Sequence, residues 1–343
     1  EVATGTGEGG QFLVTGLPVN LAARFYTAAE PGEILVGRRT RDLTSSLVGY
    51  GGPRSLHAKG VGAVEAWPIS GPIHARPGEA PPRLAGRSSP FVGRELELSV
   101  LQDALSRARR EGRPILVTVV GEAGIGKSRL VSESLAASQG IRSRIARCLP
   151  YGEGIQYHAV RSILAAEAGI DNDTDAARSL TALREWILPL SPDGSGAGIS
   201  DRLAVLAGLA DASVLLPGIA GEELEAELRW AFRRAVEGAG AIPLMALVFE
   251  DIHWAGDPLL DLIEDVAETA KVAVVICCLA RPELLDRRGG WGAQGAHTVT
   301  IRLRSLSPSE SERMVSGLLI GSDPSANLVV EIADRSGGNP LYV

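Results

Sequence analysis

The sequence predicts an α/β fold built on a parallel sheet with helices on both faces. Three continuous apolar runs, residues 115–120, 244–249 and 272–279, read as strands buried on both sides. The stretches between them carry helical periodicity, and β-α-β alternation calls for crossovers that cover the sheet. A glycine-rich turn stands directly after the first run, where a strand hands over to a helix.

The elements follow in order. Residues 1–70 read as a short α+β piece: a helix at 19–29 behind Pro18, a Pro31-Gly32 turn, a strand at 33–36, a helix at 39–47, turn-rich residues 49–62 and a strand at 64–69. So few short strands bury little core alone, so this piece reads as part of a larger domain. Residues 71–89, rich in Pro, Gly and Arg, read as a linker. The long piece runs helix 95–110, strand 115–120, helix 127–138, strand 142–148, helices over 157–188 and 200–239, strands 244–249, 272–279 and 298–303, and helices 307–319 and 324–336. Residues 90–305 form its sheet-based core, and 306–343 begin a helical extension. The chain starts at Glu1 and stops in mid-pattern at Val343, as expected of a piece cut at both ends.

Composition narrows the classes. The net charge of −7 argues against a surface that favours nucleic acid or anionic membrane as a whole. The longest apolar runs are far shorter than the ~18 residues a membrane span needs, and no signal-peptide pattern opens the chain, so a cytoplasmic location is expected. Cys148, Cys277 and Cys278 lack C-x-x-C spacing and read as buried, reduced thiols rather than metal ligands. The only lysines are Lys59, Lys127 and Lys271, which gives weight to a lysine in a phosphate-binding position.

Residues 121–128, GEAGIGKS, satisfy G-x-x-x-x-G-K-[ST]. Glycines such as Gly121, Gly124 and Gly126 let the backbone curl until several N–H groups face one point, and the following helix adds its positive end. Lys127 would reach the β- and γ-phosphates, and Ser128 would put its hydroxyl on Mg²⁺. The apolar strand 244–249 ends in Glu250 and Asp251, a Walker B pattern. Glu250 would hold the Mg²⁺ shell, and Asp251, also near the metal, would orient or deprotonate a water. Alone, such an acid pair equally caps the next helix. Arg281, just beyond the next strand, would sense the γ-phosphate, or else serves as a capping or surface arginine.

In order, FVGRE (91–95), GEAGIGKSRL (121–130), LPYGEGIQYHAV (149–160), LVFEDIHWAGDPLLDLI (247–263), CLARPEL (278–284) and GGNPLYV (337–343) resemble the bacterial AAA-like STAND ATPases of the origin-recognition-like type. The resemblance implies ATP or ADP with Mg²⁺ as ligands. It adds Phe91, Val92, Gly93 and Arg94 against the adenine, Pro340 closing its far side, and Arg129 within the nucleotide motif. It also implies a switch between a closed ADP form and an open ATP form. Many relatives carry Asp where this chain has Glu250.

Residues 13–40 resemble the C-terminal half of a class III adenylate/guanylate cyclase, a ferredoxin-like α+β domain. Asn20 and Arg24 stand one helical turn apart. The resemblance implies that they stabilise the reacting ribose and phosphate. The family's metal-binding aspartates have no counterpart in these residues. Leu13 and Leu17 stand where relatives carry polar residues. Lys59-Gly60 resembles the family's closing hairpin. The layout is similar to that of soluble adenylyl cyclases and implies self-association through either domain. Three functions stay open: a slow ATPase switch regulating or accompanying a cyclase domain, an active adenylate cyclase in a longer parent, and a regulatory module, transcriptional or otherwise, that holds nucleotide without hydrolysing it. No helix-turn-helix pair or basic stripe supports direct nucleic-acid binding.

Overall fold

The computed structural model describes residues 2–6, 12–45, 48–58, 62–72, 90–150, 156–171, 174–240, 244–292, 297–319 and 325–343. The residues expected as linker beyond Pro72, the Lys59-Gly60 hairpin and residues 151–155 of the LPYGEGIQYHAV stretch lie outside them. The chain divides into two compact units, Glu1–Ser89 and Pro90–Val343.

The first unit holds β1 (Val2–Thr6) and β2 (Phe12–Gly16) as an antiparallel hairpin, then α1 (Leu17–Ala28), β3 (Leu35–Gly37), α2 (Arg38–Thr44), β4 (Val48–Tyr50), β5 (Arg54–Ala58) and β6 (Gly62–Pro72). The long β6 pairs antiparallel with β3, β4 and β5. Its small core is Phe25, Leu35 and Ala66. Residues 49–62, expected as turns, contain β4 and β5 instead. Their glycines and polar residues hide short strands that take their order from β6 rather than from an apolar run of their own.

The second unit opens with α3 (Glu95–Glu111). Acids occupy its first turn, arginines its last, and the left-handed Gly112 caps it at φ 62°. Next come β7 (Ile115–Val120), α4 (Lys127–Ala136), β8 (Ile141–Arg147), α5 (His158–Ala168), α6 (Ala176–Ile187), α7 (Gly196–Leu206), α8 (Ala212–Leu215) and α9 (Gly221–Ala239). The chain then forms β9 (Leu244–Glu250), α10 (Asp257–Thr269), β10 (Val274–Ala280), α11 (Glu283–Arg287), β11 (Thr298–Arg302), α12 (Pro308–Leu318) and α13 (Ala326–Ser336). The helical pattern read across 200–239 is three helices. Gly208 turns the chain at φ 66°, Asp211 caps α8 by accepting from the Ser213 N–H, and Gly218 follows Pro217.

The sheet order is β11-β7-β10-β9-β8, and every pairing is parallel. Side-chain alternation splits the interior in two. Ile115, Val117 and Val119 of β7 join Val275, Cys277 and Leu279 of β10 under α3 and α4. Ile276 and Cys278 of β10 face the other way, with Leu247 and Phe249 of β9, toward α5, α7, α9 and α10. Cys277 and Cys278 therefore point to opposite faces and cannot share a metal or a disulfide. Burial pushes the Cys277 thiol up to about 12, and that of Cys278 well above its ordinary value. Among the described residues no helix is long and apolar enough to cross a membrane.

One buried charge ties α5 to the edge strand. The Glu167 side chain, 3 % exposed, lies 2.8 Å from Arg144 Nε and 3.3 Å from Arg142 Nη1. Removing one partner of a buried pair strands the other charge, so Glu167→Ala should destabilise this unit by about 3 kcal/mol. Urea denaturation checks this; an unchanged midpoint would show that the site accepts the bare arginines.

Candidate functional site: a phosphate cradle at the carboxyl ends of the strands

The turn between β7 and α4 lies where a parallel sheet gathers its loops. The Gly121 N–H donates to Ala280 O of the neighbouring strand at 3.2 Å. Gly124 (φ 77°) and Gly126 (φ 101°, the N-cap of α4) adopt conformations that side chains resist, so the loop can turn tightly into the helix start. Lys127 Nζ folds back over the loop, donating to Gly121 O at 2.7 Å and Glu122 O at 2.9 Å. Burial pulls the Lys127 pKa below its ordinary value, with Asp251 opposing that shift and Arg281 adding to it.

The two acids meet this loop from β9. Ser128 Oγ donates to Glu250 Oε1 at 2.5 Å, joining α4 to the end of β9. Asp251 follows in a left-handed conformation at φ 55°, the only non-glycine residue with positive φ among the described residues. Aspartate tolerates that region better than most residues, and such strain gathers at functional sites. Arg147, opposite Glu250 in the β8–β9 register, donates to Glu250 Oε2 at 2.9 Å and lies 3.5 Å from Asp251 Oδ2. Arg281, just beyond β10, acts electrostatically on both Lys127 and His253. His253 is buried, and neither ring nitrogen has a hydrogen-bond partner among the described residues. Burial lowers its pKa.

Two further segments grip the loop. Arg94 is buried; its Nη2 donates to Arg304 O at 2.7 Å and to Ile125 O at 3.4 Å. Its guanidinium is thus engaged on protein carbonyls. Gly93 stands at φ 68° with Glu310 so close that a methyl group there would meet its carboxyl at 2.4 Å. From the turn after α13, Asn339 Nδ2 donates to Ala123 O at 2.9 Å. Arg129 faces along α4 and pairs with Glu133 at 2.6 Å.

A family model for the AAA ATPase domain matches residues 90–276, more than half of the chain. The chain belongs to the AAA ATPase domain family. Over 96 % of its length it is 26 % identical to the uncharacterized protein R02095 of Rhizobium meliloti strain 1021, and it spans 32 % of that protein. Among solved structures it is similar to Drosophila ORC bound to DNA, with TM-score 0.41, 12 % identity and coverage of 76 % of this chain and 55 % of that one. It is also similar to Cdc6p from Pyrobaculum aerophilum, with TM-score 0.41, 15 % identity and coverage of 74 % and 57 %. The chain thus spans about a third of the curated relative and little over half of each of these structures.

Within this AAA ATPase domain, Gly121, Gly124, Gly126, Lys127, Ser128, Glu250, Asp251 and Arg281 gather at one end of the sheet. Asn20 and Arg24 lie in the other unit, both exposed on α1, while Phe25 turns inward. Sequence reasoning missed Arg147 and Asn339. Arg147 is marked only by its register with Glu250, which no local pattern reveals. Asn339 stands inside the GGNP stretch, where the family resemblance marks only Pro340.

Proposed function

We propose that residues 90–343 bind ATP or ADP with Mg²⁺ and act as a slow ATPase switch. The observation that carries the reading is the Ser128–Glu250 contact of 2.5 Å, which brings the two residue types of a magnesium-phosphate site together beside Lys127. The donor set fits a hard divalent cation: a hydroxyl, a carboxylate and a second carboxylate within one cluster. Ser128, Glu250 and Asp251 would hold that ion. Bound there, it supplies charge neutralisation across the phosphates. Lys127 and the N–H groups of the glycine turn take up the phosphate tail. Asp251, less buried than Glu250, orients the attacking water and accepts its proton. Arg281 neutralises charge at the far phosphate. Val92, Gly93, Arg94 and Pro340 border the base, and the Arg94 guanidinium also holds the loop. Titration with a fluorescent ATP analogue, followed by a phosphate-release assay, tests both halves. Binding without release would leave a nucleotide-holding module.

For the first unit we read a cyclase-derived domain, which the ATPase accompanies or regulates, with domain limits at 1–70, 71–89, 90–305 and 306–343. What supports this is the spacing of Asn20 and Arg24, exposed one turn apart on a helix that buries Phe25 on another face. In the full-length parent, Arg24→Ala should lower cAMP or cGMP formation about 100-fold. A parent that makes neither nucleotide ends the cyclase reading. Self-association through either unit belongs to the same proposal. Light scattering with and without Mg-ATP tests it, and a monomer under both conditions removes it.

A further inference from the structure

We propose that Asn339 is a positioning residue for the phosphate cradle: it fixes the plane of the Ala123–Gly124 peptide and so aims the Gly124 N–H at the phosphate. The inference rests on the ATP-binding reading and goes beyond it. The family resemblance gives the GGNP turn a place beside the base, through Pro340; the geometry gives its asparagine a task at the other end of the nucleotide.

A loop that holds an anion must keep its N–H groups inward and its carbonyls outward. In a trans peptide the C=O and the N–H of the next residue point in opposite directions. Holding one carbonyl from outside therefore aims the following N–H inward. Arg94 reaches Ile125 O, and Asn339 holds Ala123 O. The Ala123–Gly124 plane needs such a hold, because Gly124 at φ 77° has no side chain to resist rotation. Turned over, that plane would present a carbonyl dipole to the phosphate anion. Leu341 adds a second restraint: a methyl on Gly124 would come within 2.6 Å of its Cβ.

Asn339 is itself built in. Its Oδ1 accepts from the Leu341 N–H at 3.0 Å, and its own N–H donates to Ser336 O at 3.0 Å. Gly338 (φ 75°) accepts from the Leu306 N–H at 2.8 Å, and a methyl there would meet Leu306 O at 2.3 Å. The turn after α13 is thus seated on the strand-end segment 303–306 and delivers one amide to the phosphate loop. Cradle affinity becomes dependent on that seat.

The test compares Mg-ATP with inorganic tripolyphosphate, which lacks a base, by calorimetry on the whole chain. Asn339→Ala should weaken both by the same factor, about tenfold, with an unchanged melting temperature. Weakened ATP with unchanged tripolyphosphate would assign Asn339 to the base side and overturn the proposal, as would no change in either. If the alanine variant does not fold, Asn339→Asp decides. It keeps the acceptor for Leu341, loses the donor and adds a negative charge, so the loss should persist at 0.5 M salt; a loss abolished by salt would be a charge effect and would overturn the proposal. A wild-type chain that binds neither ligand would instead remove the ATP reading.

Discussion

Lys127→Ala should weaken ATP binding by at least ~100-fold, the equivalent of roughly 3 kcal/mol from charged hydrogen bonds to phosphate. The ammonium lies over the loop, already bonded to the Gly121 and Glu122 carbonyls, so its charge is delivered where a phosphate tail would enter. Both bonds lie within one surface loop, so the fold should survive. Displacement of a fluorescent ATP analogue measures the effect, with circular dichroism as the control for folding. A folded variant that binds as tightly as wild type would place the nucleotide elsewhere.

Asp251→Asn should leave nucleotide affinity within a few-fold of wild type and cut phosphate release by ~100-fold or more. Asparagine preserves the size and tolerates the left-handed backbone at φ 55°, so it removes the proton acceptor and weakens one of the three proposed metal contacts. The neighbouring Glu250, bonded to Ser128 and Arg147, keeps the metal-side contacts. Equal release from both proteins would take the base role from Asp251. No release from wild type would reduce the domain to a nucleotide holder.

The core of the second unit is legible in the sequence because β7, β9 and β10 are covered on both faces. Each reads as an unbroken apolar run with a chemical marker at its carboxyl end. The phosphate loop is legible for a similar reason: its chemistry is contiguous, from Gly121 to Ser128. Elements that depend on partners distant in the chain are not. β4 and β5 are stabilised by pairing with β6 and carry no apolar run of their own. Arg147 sits among polar and apolar neighbours of an edge strand, and only the parallel register with β9 sets it on the acids. Asn339 reaches a carbonyl 216 residues away in sequence. The motif that holds Arg94 is legible, while the direction of its guanidinium, toward Ile125 O and Arg304 O, depends on how three separate segments pack.

Calorimetric titration of the purified wild-type chain with ATP, once with magnesium and once with EDTA, bears most directly on the account. One site per chain, tight with the metal and clearly weaker without it, is the predicted result. A folded sample that takes up no nucleotide, or takes it up equally well in EDTA, would contradict the union of Lys127, Ser128 and Glu250 in a single magnesium-nucleotide site.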